Sequence, residues 1–310
     1  MNTRLILWGI AVLVLIALPP VVLAVGQPFY LDLTRRIMIL AIAAISLNLI
    51  LGYGGLVSFG HAAYLGIGAY TVGIMGFYGI TSGWLQWPVA IGASALVALA
   101  IGAVSIRTSG IYFIMITLAF TQMLYYLGIS IAEFGGDDGM RLKSKSLFPG
   151  LIDLRDPVAF YYVALGLMLV SVFLVYRIVN SRFGMALRAA KSNEARTRAI
   201  GFSPYPYRLA AFVIAGAMCG LAGALYANHT NYITPGLMSW QQSGDIMFMV
   251  ILGGMATTAG PVLGAFVLLL LEDLLSAWTQ HWQVILGPLL ILSVIFFRRG
   301  LAGVFYKPDA

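Results

Sequence analysis

Ten apolar runs divide the chain, roughly Leu5 to Val25, Ile37 to Gly52, Leu56 to Ile80, Pro88 to Ile106, Ile111 to Ala132, Val158 to Val179, Leu209 to Tyr226, Ser243 to Gly254, Pro261 to Leu275 and Val284 to Phe297. A helix needs about 20 mostly apolar residues to cross a bilayer. Several runs are short or broken by glycine, so the pattern predicts an all-α polytopic membrane protein with about ten, at least eight, spanning helices. The polar stretches between runs are too short to build a core of their own. The chain therefore reads as one transmembrane domain over 1–310, with an external loop at 133–157 and a cytoplasmic segment at 180–208.

Composition agrees with the pattern. Only 9% of the 310 residues are charged and 61% are hydrophobic, whereas a soluble domain carries about 25% charged residues. The net charge of +7 sits in particular loops, which fits the positive-inside rule rather than nucleic-acid binding. With Arg182 to Arg208 placed inside, both termini are cytoplasmic. Twelve of the eighteen basic residues then share that side: Arg4, Arg107, Arg177, Arg182, Arg188, Lys191, Arg196, Arg198, Arg208, Arg298, Arg299 and Lys307. Only Glu194 and Asp309 among the acids join them, and the mixed loop Glu133 to Asp156 gives no opposing signal. Arg35 and Arg36 are the exception. The first run, with Arg4 before it and small residues near Val22 to Ala24, also fits a secretory signal peptide. Its length and poor cleavage site favour a retained helix.

Two glycine-rich stretches interrupt the spans. In LNLILGYGGLVSFGHAAYLGIGAY, Leu47 to Tyr70, Gly52, Gly54 and Gly55 predict a helix break. Such a break is tolerated only where protein or a watery cavity covers the freed backbone, as in many transport routes. Ala62 with Gly66 and Ala69 with Gly73 are spaced for close helix approach. Asn48, Ser58, His61 and Tyr64 are candidates for a translocation pathway, although for each one taken singly a local hydrogen bond is the favoured reading. In SGDIMFMVILGGMATTAGPVLGAF, Ser243 to Phe266, Gly253, Gly254, Gly260 and Pro261 predict a turn between two short helices. Asp245 begins the first of these near the outer face, either as a helix-start acid or as a pathway contact. Thr117, Thr121 and Gln122 read as glue between helices, with Gln122 kept as a pathway candidate. Glu272 and Asp273 are expected at the interface. His229 and His281 fall in external loops without metal-ligand spacing. The lone Cys219 excludes a disulfide framework, and no metal site is expected.

Arg182 to Phe202, RFGMALRAAKSNEARTRAIGF, is the most basic segment. Ser192 or Asn193 can cap a short helix, Glu194 suits its first turn, and Arg198 follows at i+4. Gly201 is a left-handed stop and Pro204 and Pro206 prevent continuation. A second turn is expected from Gly184 to Lys191, with Met185, Leu187, Ala189 and Ala190 giving it apolar surface. A basic loop on anionic lipid explains the charge, but a docking helix also explains the caps.

GMALRAAKSNEARTRAIGFSPYPYRLAAFVIAGAMCGLAGALYA resembles the branched-chain amino acid permease family of ATP-binding-cassette (ABC) importers. GYGGLVSFGHAAYLGIGAY and the run from Ser243 through MFMVILGG to GPVLGA are similar to the same family, and FGGDDGM resembles its M-type member. The resemblance covers most of the chain from Ser46 onwards. It implies a bacterial inner-membrane subunit paired with a homologous second permease, two cytoplasmic ATPases that bind ATP and magnesium, and a periplasmic substrate-binding protein. Its expected solutes are branched-chain amino acids or related urea, amides and aromatic acids. Ala186, Ala190, Asn193, Glu194, Ala199 and Gly201 fall on the family's coupling motif, and Gly184, Arg188 and Arg198 complete the expected coupling set. Asp245 falls where the family commonly has an acid. Phe134 departs from a usual Thr, Ala256 from a usual Gly and Arg299 from a usual Pro.

The rival classes are an ion-coupled secondary transporter or channel, and an intramembrane enzyme. The acids sit at span ends rather than at the midplane, where ion coupling is expected to need them. No Walker A, H-E-x-x-H or G-x-S-x-G motif occurs. ATP hydrolysis is therefore expected in partner chains, with no cofactor in this one.

Overall fold

In the computed structural model, which describes residues 3–150, 152–296 and 300–305, ten helices fall on the ten apolar runs. They are α1 (Thr3–Val25), α2 (Pro28–Asn48), α3 (His61–Phe77), α4 (Gly83–Ser105), α5 (Ile111–Ser130), α6 (Pro157–Val179), α9 (Pro204–Thr230), α10 (Trp240–Gly253), α11 (Gly260–Trp278) and α12 (Trp282–Phe296). Two short helices, α7 (Arg182–Ser192) and α8 (Glu194–Ala199), lie between α6 and α9, and α13 (Gly300–Phe305) follows α12. Among the described residues six helices are long and apolar enough to cross a membrane: Pro28–Tyr53, α4, α5, α6, α9 and α11. The protein is multi-pass. Arg298, Arg299, Lys307 and Asp309 lie outside the described residues, and Arg4 is described only in its helical backbone.

The buried centre is α2, apolar all round and enclosed at every residue from Ile37 to Ile50, as a helix surrounded by other helices must be. It packs against α6, α9, α10 and α11. Against α3 and α4, α9 makes the closest approach, because small residues let the backbones touch. A Cβ on Gly68 would stand 2.0 Å from the Gly220 carbonyl oxygen, and one on Gly223 1.9 Å from that of Leu65. By contrast α4, α5 and α6 turn large apolar side chains such as Leu96, Met115 and Phe173 outward, the expected face toward lipid or another subunit.

Two boundaries correct the hydropathy reading. The second span begins at Pro28 rather than near Ile37, so Arg35 and Arg36 lie inside α2. Each cation has a compensating acid. Arg35 Nη2 donates to Asp32 at 2.6 Å and its guanidinium lies over the Phe160 ring at 5.7 Å, while Arg36 Nη2 reaches Glu272 at 3.3 Å. Pairing lowers the cost of burying charge, which is why the helix continues through two arginines. Likewise His229 is not in a loop, because α9 continues to Thr230. Its buried ring sits 3.7 Å from Asp32 and stacks on Phe160. His281 does fall between α11 and α12.

The stretch 133–157 is folded onto this same end of the bundle. Met140–Arg141 pairs antiparallel with Tyr232–Ile233, and Leu147–Phe148 with Ile152–Asp153. Asn228 of α9 accepts from the Ser146 backbone N–H at 2.7 Å. Phe134 packs edge-on against Phe77 and Tyr78.

Candidate functional site

At the opposite end of the bundle, the basic segment forms two capped helices. Ser181 Oγ accepts from Gly184 N to open α7, and Asn193 Oδ1 accepts from Arg196 N at 2.9 Å to open α8. Gly201 stops α8 at φ +88°, a left-handed conformation that costs a glycine nothing. Gly184, Ala186, Leu187 and Ala190 bury one face of α7 against the bundle. Arg188 and Glu194 are half-buried, whereas Asn193, Arg198, Ala199 and Gly201 are exposed. Met185, Ile200 and Phe202 add exposed apolar side chains. The inward set holds α7 in place, and the outward set is the surface open to a partner.

Glu194 ties this unit to α9. One carboxylate oxygen accepts from Arg198 at 2.6 Å and the other from Arg208 at 2.7 Å, and Arg208 also donates to the Ala190 carbonyl. Partial burial pushes the Glu194 carboxyl upward, but the two guanidiniums outweigh it and hold its pKa below the usual value.

A second tie reaches α2. The Lys191 ammonium donates to the Gly52 carbonyl oxygen at 2.6 Å, and burial lowers the Lys191 pKa. Gly52 lies in the helix break. At Asn48 the α-helix α2 passes directly into a π-helical turn over Leu49–Tyr53, fully buried, before the chain extends to α3. The last carbonyls of a helix lack intrahelical donors, and Lys191 satisfies that of Gly52, next to the end of the π-helical turn. The fit is tight: a Cβ on Gly52 would stand 2.1 Å from Asn48 Oδ1 and 2.6 Å from Ala256 N, and one on Gly55 2.8 Å from Lys191 Cγ.

The break also touches the second glycine-rich stretch. Asn48 Nδ2 donates to the Thr257 carbonyl at 2.8 Å and its Oδ1 accepts from Ala256 N at 3.1 Å. Thr257 Oγ1 in turn bonds Gly254 O and accepts from Gly260 N, fixing the α10–α11 turn. Ala256 adopts φ +59°, the left-handed region, so its alanine stands where glycine is unstrained. Three sequence-distant segments thus meet at one point.

Of the remaining pathway candidates, Ser58 is buried and accepts from Gly60 N, and His61 is buried with Nε2 2.7 Å from Ser46 Oγ. Tyr64 is buried edge-on between His61 and Phe212. Gln122 is half-buried on α5, where Thr121 bonds the Phe59 carbonyl. Asp245 alone of these six lines a large cavity, together with Arg36, Glu272, Gln241 and Gln242. Sequence reasoning passes over Lys191 and Arg208 as specific contacts, and over Arg36 as a cavity residue. No local pattern marks them, because their partners are distant in the chain.

The chain matches the family described as branched-chain amino acid transport system, permease component, over residues 29–294. It is 29% identical to the high-affinity branched-chain amino acid transport system permease protein LivM of Escherichia coli K12, covering 90% of this chain and 72% of that protein. It is 25% identical to a probable branched-chain amino acid transport permease protein LivM of Methanocaldococcus jannaschii, covering 86% and 88%. With the permease protein LivH of E. coli K12 it shares 24% identity over 85% and 91%. No solved structure matches the chain.

Proposed function

Because the chain belongs to the branched-chain amino acid transport system permease family, we propose that it is a membrane subunit of an ATP-driven importer in a bacterial inner membrane. Its termini are cytoplasmic, 1–310 forms one permease domain, and a homologous permease stands beside it. Two ATPases holding ATP and magnesium dock on 180–208, and a periplasmic binding protein meets the face that carries 133–157. The solute is a branched-chain amino acid, with urea, short amides and aromatic acids as the alternatives.

The observation that supports the coupling role is the pair of ties leaving α7 and α8, Lys191 to Gly52 and Glu194 to Arg208. A partner shifts a conformational equilibrium only if it binds the two states differently. An ATPase holding the exposed surface of Met185, Arg198, Ile200 and Phe202 displaces α7 and α8 as it closes. Displacement loads both ties together: one pulls on the buried turn between α2 and α3, and the other on the first turns of α9. Those helices pack on α3, α4, α10 and α11, so the motion reaches every helix around α2.

Co-purification from the native membrane in mild detergent, followed by reconstitution into vesicles, tests the reading. Recovery of two ATPases and a sister permease with ATP-dependent solute uptake is the expected result. Uptake by the purified chain alone, without ATP, contradicts it and places the protein among secondary transporters or channels.

A further inference from the structure

Between α2, α10, α11 and α12, at the end of the bundle away from α7 and α8, lies a cavity of about 830 Å³, a volume typical of small-molecule sites. Its charged groups are Arg36, Asp245 and Glu272. Arg36 gives one nitrogen to Glu272 at 3.3 Å, while its Nε is buried with no partner. Asp245 has no hydrogen-bond or ion-pair partner among the described residues, although Arg36 and Glu272 both lie within its electrostatic range. Buried polar groups are normally satisfied, so the Arg36 Nε leaves this cluster incomplete, and Asp245, which is exposed, is open to a cationic partner at the cavity.

The helices place apolar groups directly beneath the charges. One turn separates residues three or four apart on a helix face. Leu40 lies a turn deeper than Arg36 on α2, Phe248 and Met249 a turn deeper than Asp245 on α10, and Leu268 and Leu269 a turn deeper than Glu272 on the oppositely directed α11, all lining the cavity. The result is a charged rim of both signs above an apolar well. A metal ion has no use for the well, and among the described residues no cluster of metal-ligating groups occurs. An α-amino acid with an apolar side chain matches both levels, since its ammonium and carboxylate share one carbon and its side chain extends from the same atom.

We propose that this cavity is a head-group site for such an amino acid on its way through the permease. The ammonium pairs with Asp245, the carboxylate displaces Glu272 from Arg36, and the side chain enters the well between Leu40, Phe248 and Leu269. The inference rests on the permease reading above and adds a site at which this chain itself senses the solute.

Solute protection in the whole transporter, reconstituted with its partner subunits, tests the site apart from transport. Cys219 is buried, so a Gln242→Cys substitution supplies one reactive thiol at the cavity. Leucine at ten times its dissociation constant is expected to slow maleimide labelling about tenfold, as occupancy requires. The matched probes 4-methylpentanoate and 3-methylbutylamine, each lacking one head-group charge, are expected to give little protection. Adding Asp245→Asn abolishes leucine protection and Asp245→Glu retains it. A thiol that never reacts, equal protection by all three probes, or leucine protection surviving both Asp245→Asn and Arg36→Gln overturns the site. ATP-driven leucine uptake in vesicles of the unsubstituted transporter is read separately; its absence would count against the permease reading instead.

Discussion

The Lys191 ammonium and the Gly52 carbonyl oxygen, 139 positions apart, meet at 2.6 Å. One belongs to the basic segment between α6 and α9 and the other to the π-helical turn that ends α2. A hydrogen bond from a charged donor contributes roughly 1.5–3 kcal/mol, enough that α7 cannot leave its seat without disturbing the turn. The contact joins the surface open to a partner with the helix at the centre of the fold.

Glu194 holds the second tie, and its charge should control it. The carboxyl is held below its usual pKa by Arg208 and Arg198 against the upward push of burial. A depressed pKa stabilises the folded state above the usual carboxylate value, and that stabilisation is lost as pH falls through the folded-state value. A spin label at Ala199 should therefore become mobile on acidification from about pH 6 to about pH 3, across the ordinary carboxylate range. With Glu194→Gln it should be mobile throughout. Pale pH dependence in the unsubstituted protein would show that Glu194 does not anchor α8.

Replacing Glu194 by Lys exchanges two attractions for repulsion among three cations. Membrane insertion should remain intact, because the residue lies outside the spans, while uptake falls and ATP hydrolysis continues. Normal uptake at equal expression would remove Glu194 from the coupling path.

Ala256 should be improvable. A non-glycine residue in the left-handed region costs roughly 1–2 kcal/mol, offset in part by the greater unfolded-state freedom of glycine. Ala256→Gly should raise stability by somewhat under 1 kcal/mol, read as a rise of a few degrees in the melting temperature in detergent. A lowered melting temperature would mean that the methyl group packs usefully enough to outweigh the strain.

Gly52→Ala should do the reverse. Its methyl group meets Asn48 Oδ1 and the Ala256 backbone, and overpacking of this kind costs about 1–3 kcal/mol. Both melting temperature and uptake should fall. An unchanged melting temperature would show that the π-helical turn relaxes more easily than its close contacts suggest.

Much of the fold is legible in the sequence because membrane spans and caps are local. Apolar runs mark all ten long helices, six of them long and apolar enough to span a membrane, and Asn193, Gly201 and Pro204 mark where α8 starts and stops and where α9 begins. Span ends are less legible where charge is paired out of sequence. Arg35 and Arg36 lie inside α2 because Asp32 and Glu272 compensate them, and Glu272 is 236 positions away from Arg36. The glycines of 52–55 mark a break, yet nothing local shows that it closes as a π-helical turn or that Lys191 reaches it. His61 and Tyr64 have the chemistry of a pathway but are packed between helices, whereas Asp245 lines the cavity from the second turn of α10; that helix starts at Trp240 rather than Ser243, so Asp245 is not the helix-start acid that the sequence suggests.

The most direct measurement of the coupling account is the number of solute molecules taken up per ATP hydrolysed by the reconstituted transporter carrying Lys191→Met. Methionine keeps the length and apolar stem of lysine but cannot donate to Gly52. Loss of roughly 1.5–3 kcal/mol of coupling predicts a fall of about tenfold or more in that ratio, with ATP hydrolysis continuing and Lys191→Arg recovering part of the loss. A ratio equal to that of the unsubstituted transporter would contradict it.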